Sequence, residues 1–199
     1  YWLSRCWALA IENNEAALRA LADVCVEDIS DGDAAVSSAA LDVVRRFAAR
    51  FPPTSSLLDA ALSRASQFLD TSDDLAEAAL RSAAEACAAA AKTPEHAAIA
   101  ADRVRAVAAL GERIVNDGNA PSLIDACADC CRAALSAARN APSSSQASVT
   151  ACAFVALLLD DSRDIELCAA PAAARLWLDA LRTLPLDDHD ACVQACRQP

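Results

Sequence analysis

Apolar residues in this chain recur three and four positions apart, the spacing of one face of a helix. Val36, Ala40, Val43, Val44 and Phe47 form such a stripe. No convincing run of alternating β-branched and aromatic residues competes with it, so the fold class predicted is all-α. The polar punctuation cuts the pattern into helices of similar length. A short opening helix covers Trp2–Ala10, and Asn13 or Asn14 caps a helix reaching Ile29. The turn Ser30-Asp31-Gly32-Asp33 leads into Ala34–Phe51, which Pro52-Pro53 ends. Ser55 or Ser56 caps Leu57–Leu69, and the turn Asp70–Asp73 precedes a helix from Asp74 to Ala91, with Ser72/Glu77 or Thr71/Asp74 as capping pairs.

Thr93-Pro94-Glu95 supplies an N-cap, a proline at the first helical position and a first-turn carboxylate. The helix it starts is expected to reach Asn116, with a bend at Gly111 and Gly118 near its C-terminal cap. Pro121 opens a helix to Arg139. Beyond Asn140–Ser145, the most loop-like stretch, come Gln146–Leu159, Arg163–Ala170, Pro171–Leu184 and Ala191–Arg197. Residues 1–139 therefore read as helical hairpins, 140–145 as a loop, and 146–199 as further hairpins of the same stack.

Successive hairpins begin near residues 14, 55 and 94, a period of about 40 residues. Three turns also repeat a Leu-Asp, an acidic turn and a following apolar helix, at Leu69–Leu75, Leu159–Ile165 and Leu186–Val193. Acidic side chains there are placed to accept from the free N–H groups of the next helix. This pattern resembles the HEAT and armadillo type of α-solenoid, a right-handed stack of antiparallel helical hairpins. Asp70, Asp73, Leu75, Ala79, Leu80 and Ala83 carry the match, while Glu77 stands near where the family has a basic residue. Asn14–Ile29 and Leu57–Cys87 are also similar to arrays of importin-β-type nuclear transport receptors. That resemblance implies an acidic, thiol-rich solenoid that wraps cargo and a small GTPase.

Composition sharpens the picture. Of 199 residues 55% are hydrophobic but only 4% aromatic, with three Gly and no Met. Alanine fills roughly a quarter of the positions, well above a typical domain. Small faces let helices approach closely but bury little area per contact, so many helix–helix contacts are needed to offset chain entropy. The net charge of −11 repels phosphate backbones and argues against direct nucleic-acid binding. Lys92 is the sole lysine, and the Arg and Ala excess is what a GC-rich coding sequence gives. The chain starts at Tyr1, which points to a trimmed, processed or internal segment, and Trp2–Ile11 lacks the features of a signal peptide. The apolar stretch Val149–Leu159 falls far short of the roughly 20 residues a membrane helix needs, so no membrane span is expected.

Ten cysteines stand in a chain too long and too helical for a disulfide scaffold. Cys127, Cys130 and Cys131 share one helical face, as do Cys192 and Cys196, where free thiols act as small hydrophobes. Zinc at Cys127/Cys130 is the alternative, without a second ligand pair nearby. Reduced thiols in this number imply a reducing compartment: cytoplasm, nucleus or an organelle matrix. His96 at a helix start and His189 among Asp187, Asp188 and Asp190 read as solvated. No Glu-x-x-His pair, phosphate-cradling loop or Ser–His–Asp set stands out, so no catalytic, cofactor or metal residue is nominated. Arg45, Arg46 and Arg50 form the densest basic spot, and Trp2, Trp7 and Trp177 read as packing anchors.

The expected function is a non-enzymatic protein–protein interaction scaffold, whose acidic surface attracts partners with a basic surface, as a transport receptor attracts cargo. The alternative is a structural subunit of a larger assembly, such as an organellar complex. A metal-binding helical-bundle enzyme is the third class, at Cys127/Cys130 or His189.

Overall fold

A computed structural model describes residues 14–51, 55–90, 94–118, 121–138 and 149–155, with 175–176, 178–179 and 182 of the later chain. These residues are helical with connecting turns, and no strand occurs among them. In chain order the helices are α1 (Glu15–Ile29), α2 (Ala34–Phe47), α3 (Ser55–Phe68), α4 (Asp73–Ala90), α5 (Pro94–Ala101), α6 (Val104–Asn116) and α7 (Pro121–Ala138). Residues 149–155 form a further helical segment. The predicted opening helix, the loop 140–145, His189, the three Trp and Cys192/Cys196 lie outside the described residues.

Capping chemistry sets the first boundaries. The Asn14 carboxamide accepts from Ala17 N at 3.2 Å, and Asp33 accepts from Ala35 N at 2.7 Å, so α1 and α2 start where the polar residues fall. Gly118, at φ +66°, closes α6 in the left-handed conformation that an L side chain adopts only with strain. The acidic turn after α3 works differently from expectation. Glu77 takes Arg81 of its own helix at 2.7 Å and is not paired with Ser72, and Asp70 pairs with Arg113 of α6.

Two helices end earlier than the periodicity predicts. The run from Ala34 stops at Phe47 and passes into a turn through Arg50, short of Phe51, where the following Pro52 disfavours helical geometry. Phe51 is buried, its N–H donating to Phe47 O at 3.1 Å and its ring 6.3 Å from that of Phe47. The helix expected from Pro94 to Asn116 breaks at Asp102-Arg103, not at Gly111. At the break Arg103 turns its guanidinium onto Asp59 of α3 in a two-pronged contact of 2.6 and 2.9 Å. Both pieces, α5 and α6, then pack on α7. Gly111 stays inside α6 for a packing reason: a Cβ there would lie 2.3 Å from the Phe154 ring.

The helices pack in two rows. α4 lies between α2 and α7, and its contact with α7 is the most extensive among the described helices. α3 touches α1 on one side and, more lightly, α5 and α6 on the other. Pairs α1/α2, α3/α4 and α6/α7 close across the rows. The core between them is small-residue packing around leucines: Leu41, Leu58, Leu80, Leu123 and Leu135 with Ala61, Ala79, Ala83, Ala126 and Ala134, all buried. Two buried serines are fully partnered, Ser37 across the rows and Ser82 along one of them. Ser37 donates to Ile29 O at 2.7 Å and accepts from Arg64 Nε at 3.0 Å. Ser82 lies 2.9 Å from Leu41 O and 2.8 Å from Ala78 O, linking α4 to α2.

Candidate functional site

Helices α2, α4 and α7 share a face on which each carries an acid followed three or four residues later by an arginine. On α2, Asp42 holds Arg45 at 3.5 Å and Arg46 at 2.6 Å. On α4, Glu77 holds Arg81, which also reaches Asp125 of α7 at 3.9 Å. On α7, Asp129 holds Arg132 at 3.0 Å; Asp179 of the later chain also takes Arg132 at 3.0 Å and takes Arg182 at 3.6 Å. The spacing is the ordinary one for neighbours on a helix surface. What is less ordinary is that the pairs line up across successive elements into one ladder.

The ladder borders an open groove of about 840 Å³. Arg45, Arg81, Arg132 and Arg182 stand along it with Glu85, Asp129 and Asp179, over a floor of Ala84, Ala88, Ala133 and Ser136. Small floor residues bring a docked backbone close to α4 and α7. Burial works against the charge on Arg132, but its hydrogen bonds to Asp179 and Asp129 outweigh that and raise its pKa above the ordinary value. Arg132 is therefore a fixed cation in the groove wall. Arg182, with 69% of its side chain exposed, is held at one point only within the ladder.

No family model, curated protein or solved structure matches the chain. The functional reading therefore rests on the chain's own chemistry.

The thiols form a second constellation. Cys25, Cys87, Cys127, Cys130, Cys131 and Cys152 are all buried. Cys127 donates to Val107 O of α6 at 3.3 Å, so its sulfur is engaged away from a shared centre with Cys130. Among the described residues no group of three or more His, Cys, Asp or Glu side chains is placed to hold a metal ion. Cys130 instead meets Cys87 of α4 in a hydrogen bond that, with burial and the neighbouring thiols, pushes its pKa well up. Burial raises Cys127 well above the usual thiol range and takes Cys131 to about 12, with Cys131 and Cys87 respectively as the second cause. Cys25 rises to about 11 through burial and the charge of Asp28.

Sequence reasoning singled out Arg45 and the three α7 cysteines, and the structure places Arg45 on the groove lining and the cysteines in the buried core. It missed Arg81, Arg132 and Cys87. A signal for the arginines was present in the recurring acid–arginine pairs at 42/45, 77/81, 129/132 and 179/182. Cys87 carried none, since its partner lies on another helix. Among the described residues no helix is long and apolar enough to cross a membrane.

Proposed function

We propose that this chain is a HEAT-like solenoid segment acting as a non-enzymatic protein-interaction scaffold, with its partner seated in the α2/α4/α7 groove. The observation that carries the reading is the groove itself, an open channel of about 840 Å³ that crosses three successive second helices and continues to Asp179 and Arg182. A stack that repeats one helix per hairpin along one row makes such a channel as a matter of geometry. The likeness to importin-β-type receptors makes a basic cargo segment the natural occupant.

Charge acts at two ranges. The net charge of −11 draws a basic partner from a distance and raises its rate of encounter. Within the groove both signs are displayed, since the arginines are held by carboxylates of the same wall. Basic side chains of the partner meet Glu85, Asp129 and Asp179, while Arg45 and Arg182 set its register.

The test is a photo-crosslinking side chain introduced at Ala88 in the groove and, as control, at Arg19 on α1. A partner with a basic surface is expected to crosslink at position 88 and not at 19. Capture should fall several-fold as salt rises from about 0.05 to about 0.3 M, where screening shortens the reach of the field. Equal crosslinking at both positions, or capture indifferent to salt, would overturn the reading.

A further inference from the structure

The α4/α7 contact hides a pair of thiols that the interaction reading does not use. We propose that Cys87 and Cys130 are a peroxide-oxidisable dithiol, whose disulfide staples α4 to α7 directly beneath the groove.

Geometry selects this pair. Both side chains are fully buried, on the two helices whose contact is the most extensive among those described, and they share a hydrogen bond. The residues one turn away or adjacent, Ala83 and Ala86 on α4 with Ala126 and Ala134 on α7, are small and buried, so no bulky side chain stands beside the two sulfurs on their own helices. Cys127 is committed to Val107 O. The position of the pair gives the bond a consequence. Cys87 lies between Ala84 and Ala88 in sequence, and Cys130 between Asp129 and Ala133, so the staple fixes two walls of the groove against each other.

The chemistry balances with one hydroperoxide. The thiolate of one cysteine attacks a peroxide oxygen, the O–O bond breaks, and a sulfenic acid and water form. The second thiol attacks the sulfenic sulfur, the S–O bond breaks, and a second water leaves as S–S forms. Two thiols lose two electrons and two protons, and hydrogen peroxide is reduced to two waters. The Cys87 hydrogen bond and burial hold the Cys130 thiol protonated at neutral pH, so reaction at that sulfur is slow and accelerates as pH rises.

Trypsin makes the test direct, because cleavage after Arg81, Lys92, Arg113 and Arg132 puts Cys87 in peptide 82–92 and Cys130 in peptide 114–132. The full chain is treated with hydrogen peroxide at low protein concentration, alkylated in denaturant and digested without reductant. The expected product joins these two peptides, two hydrogens lighter than their sum, and separates on reduction. It should persist in Cys127→Ser and Cys131→Ser and vanish in Cys130→Ser, with Cys130→Ala as a second variant that suits the alanine-rich interface. At neutral pH it should form at least about tenfold more slowly than reaction of the same thiols in the unfolded chain. Absence of the joined peptide while the thiols are consumed or stay alkylatable would overturn the proposal. So would its survival in both Cys130 variants, or a rate equal to that of the unfolded chain. None of these outcomes depends on whether a partner occupies the groove.

Discussion

At the scale of single residues, this protein is governed by how little space its side chains take. Gly111 is the sharpest case, since the Phe154 ring occupies the volume a Cβ would need, 2.3 Å away. Two effects oppose each other when alanine replaces this glycine. Helix propensity favours alanine by about 1 kcal/mol, while overpacking a close-fitted site costs about 1–3 kcal/mol. Phe154 is itself buried and has little room to retreat, so overpacking wins and Gly111→Ala is expected to destabilise the fold. The sign should reverse once the ring is removed. In a Phe154→Leu background, Gly111→Ala is expected to stabilise by up to about 1 kcal/mol, as the propensity gain is left unopposed. Denaturant unfolding of the four members of this cycle measures both outcomes, and a destabilising effect of equal size in both backgrounds would show that the ring is not the obstacle.

At the scale of elements, most helix starts were readable because the capping side chains are local. Asn14 and Asp33 each close a contact two or three residues along the chain, and periodicity plus that one residue locates the boundary. Asp33→Ala should therefore cost about 1 kcal/mol by removing the bond to Ala35 N, read as a drop in thermal midpoint with α2 the first region to exchange its amides. An unchanged midpoint would mean that Asp31, which already accepts from Asp33 N at 2.7 Å, carries the turn alone. The features that sequence did not reveal are the ones decided across the fold. Nothing local marks Asp102-Arg103 as the end of α5, because the break depends on Asp59, far away in the chain, and on the room α7 offers to two short helices. Glu77 read as a cap and serves Arg81 instead, since an arginine four residues on competes with a turn N–H for the same carboxylate. The groove was half legible: each acid–arginine pair is visible in the chain, but their alignment exists only once α2, α4 and α7 lie side by side.

At the scale of the whole molecule, the small-residue core carries a chemical liability, because many of its small residues are thiols. The folded state raises Cys25 to about 11, Cys131 to about 12, and Cys127 and Cys130 in the same direction, from an ordinary 9.0. The sign of the linkage follows from which state binds more protons. Below about pH 9 the thiols are protonated in both states and stability does not depend on them. Above it the unfolded chain releases protons that the folded chain keeps, so stability falls as pH rises toward the folded values, by about 1.4 kcal/mol per pH unit for each thiol withheld. Stability is thus expected to be flat from about pH 7 to 8.5 and to decline steeply between about pH 9 and 11. Other groups titrate in the same interval, so the decisive comparison is with Cys131→Ala, which should flatten the slope by about one thiol's share while leaving the neutral-pH plateau in place apart from a uniform offset. Urea unfolding at fixed pH steps measures it. Parallel slopes for the two proteins would mean that Cys131 meets water in the folded state, which would also remove the dry interface on which the α4/α7 contact depends.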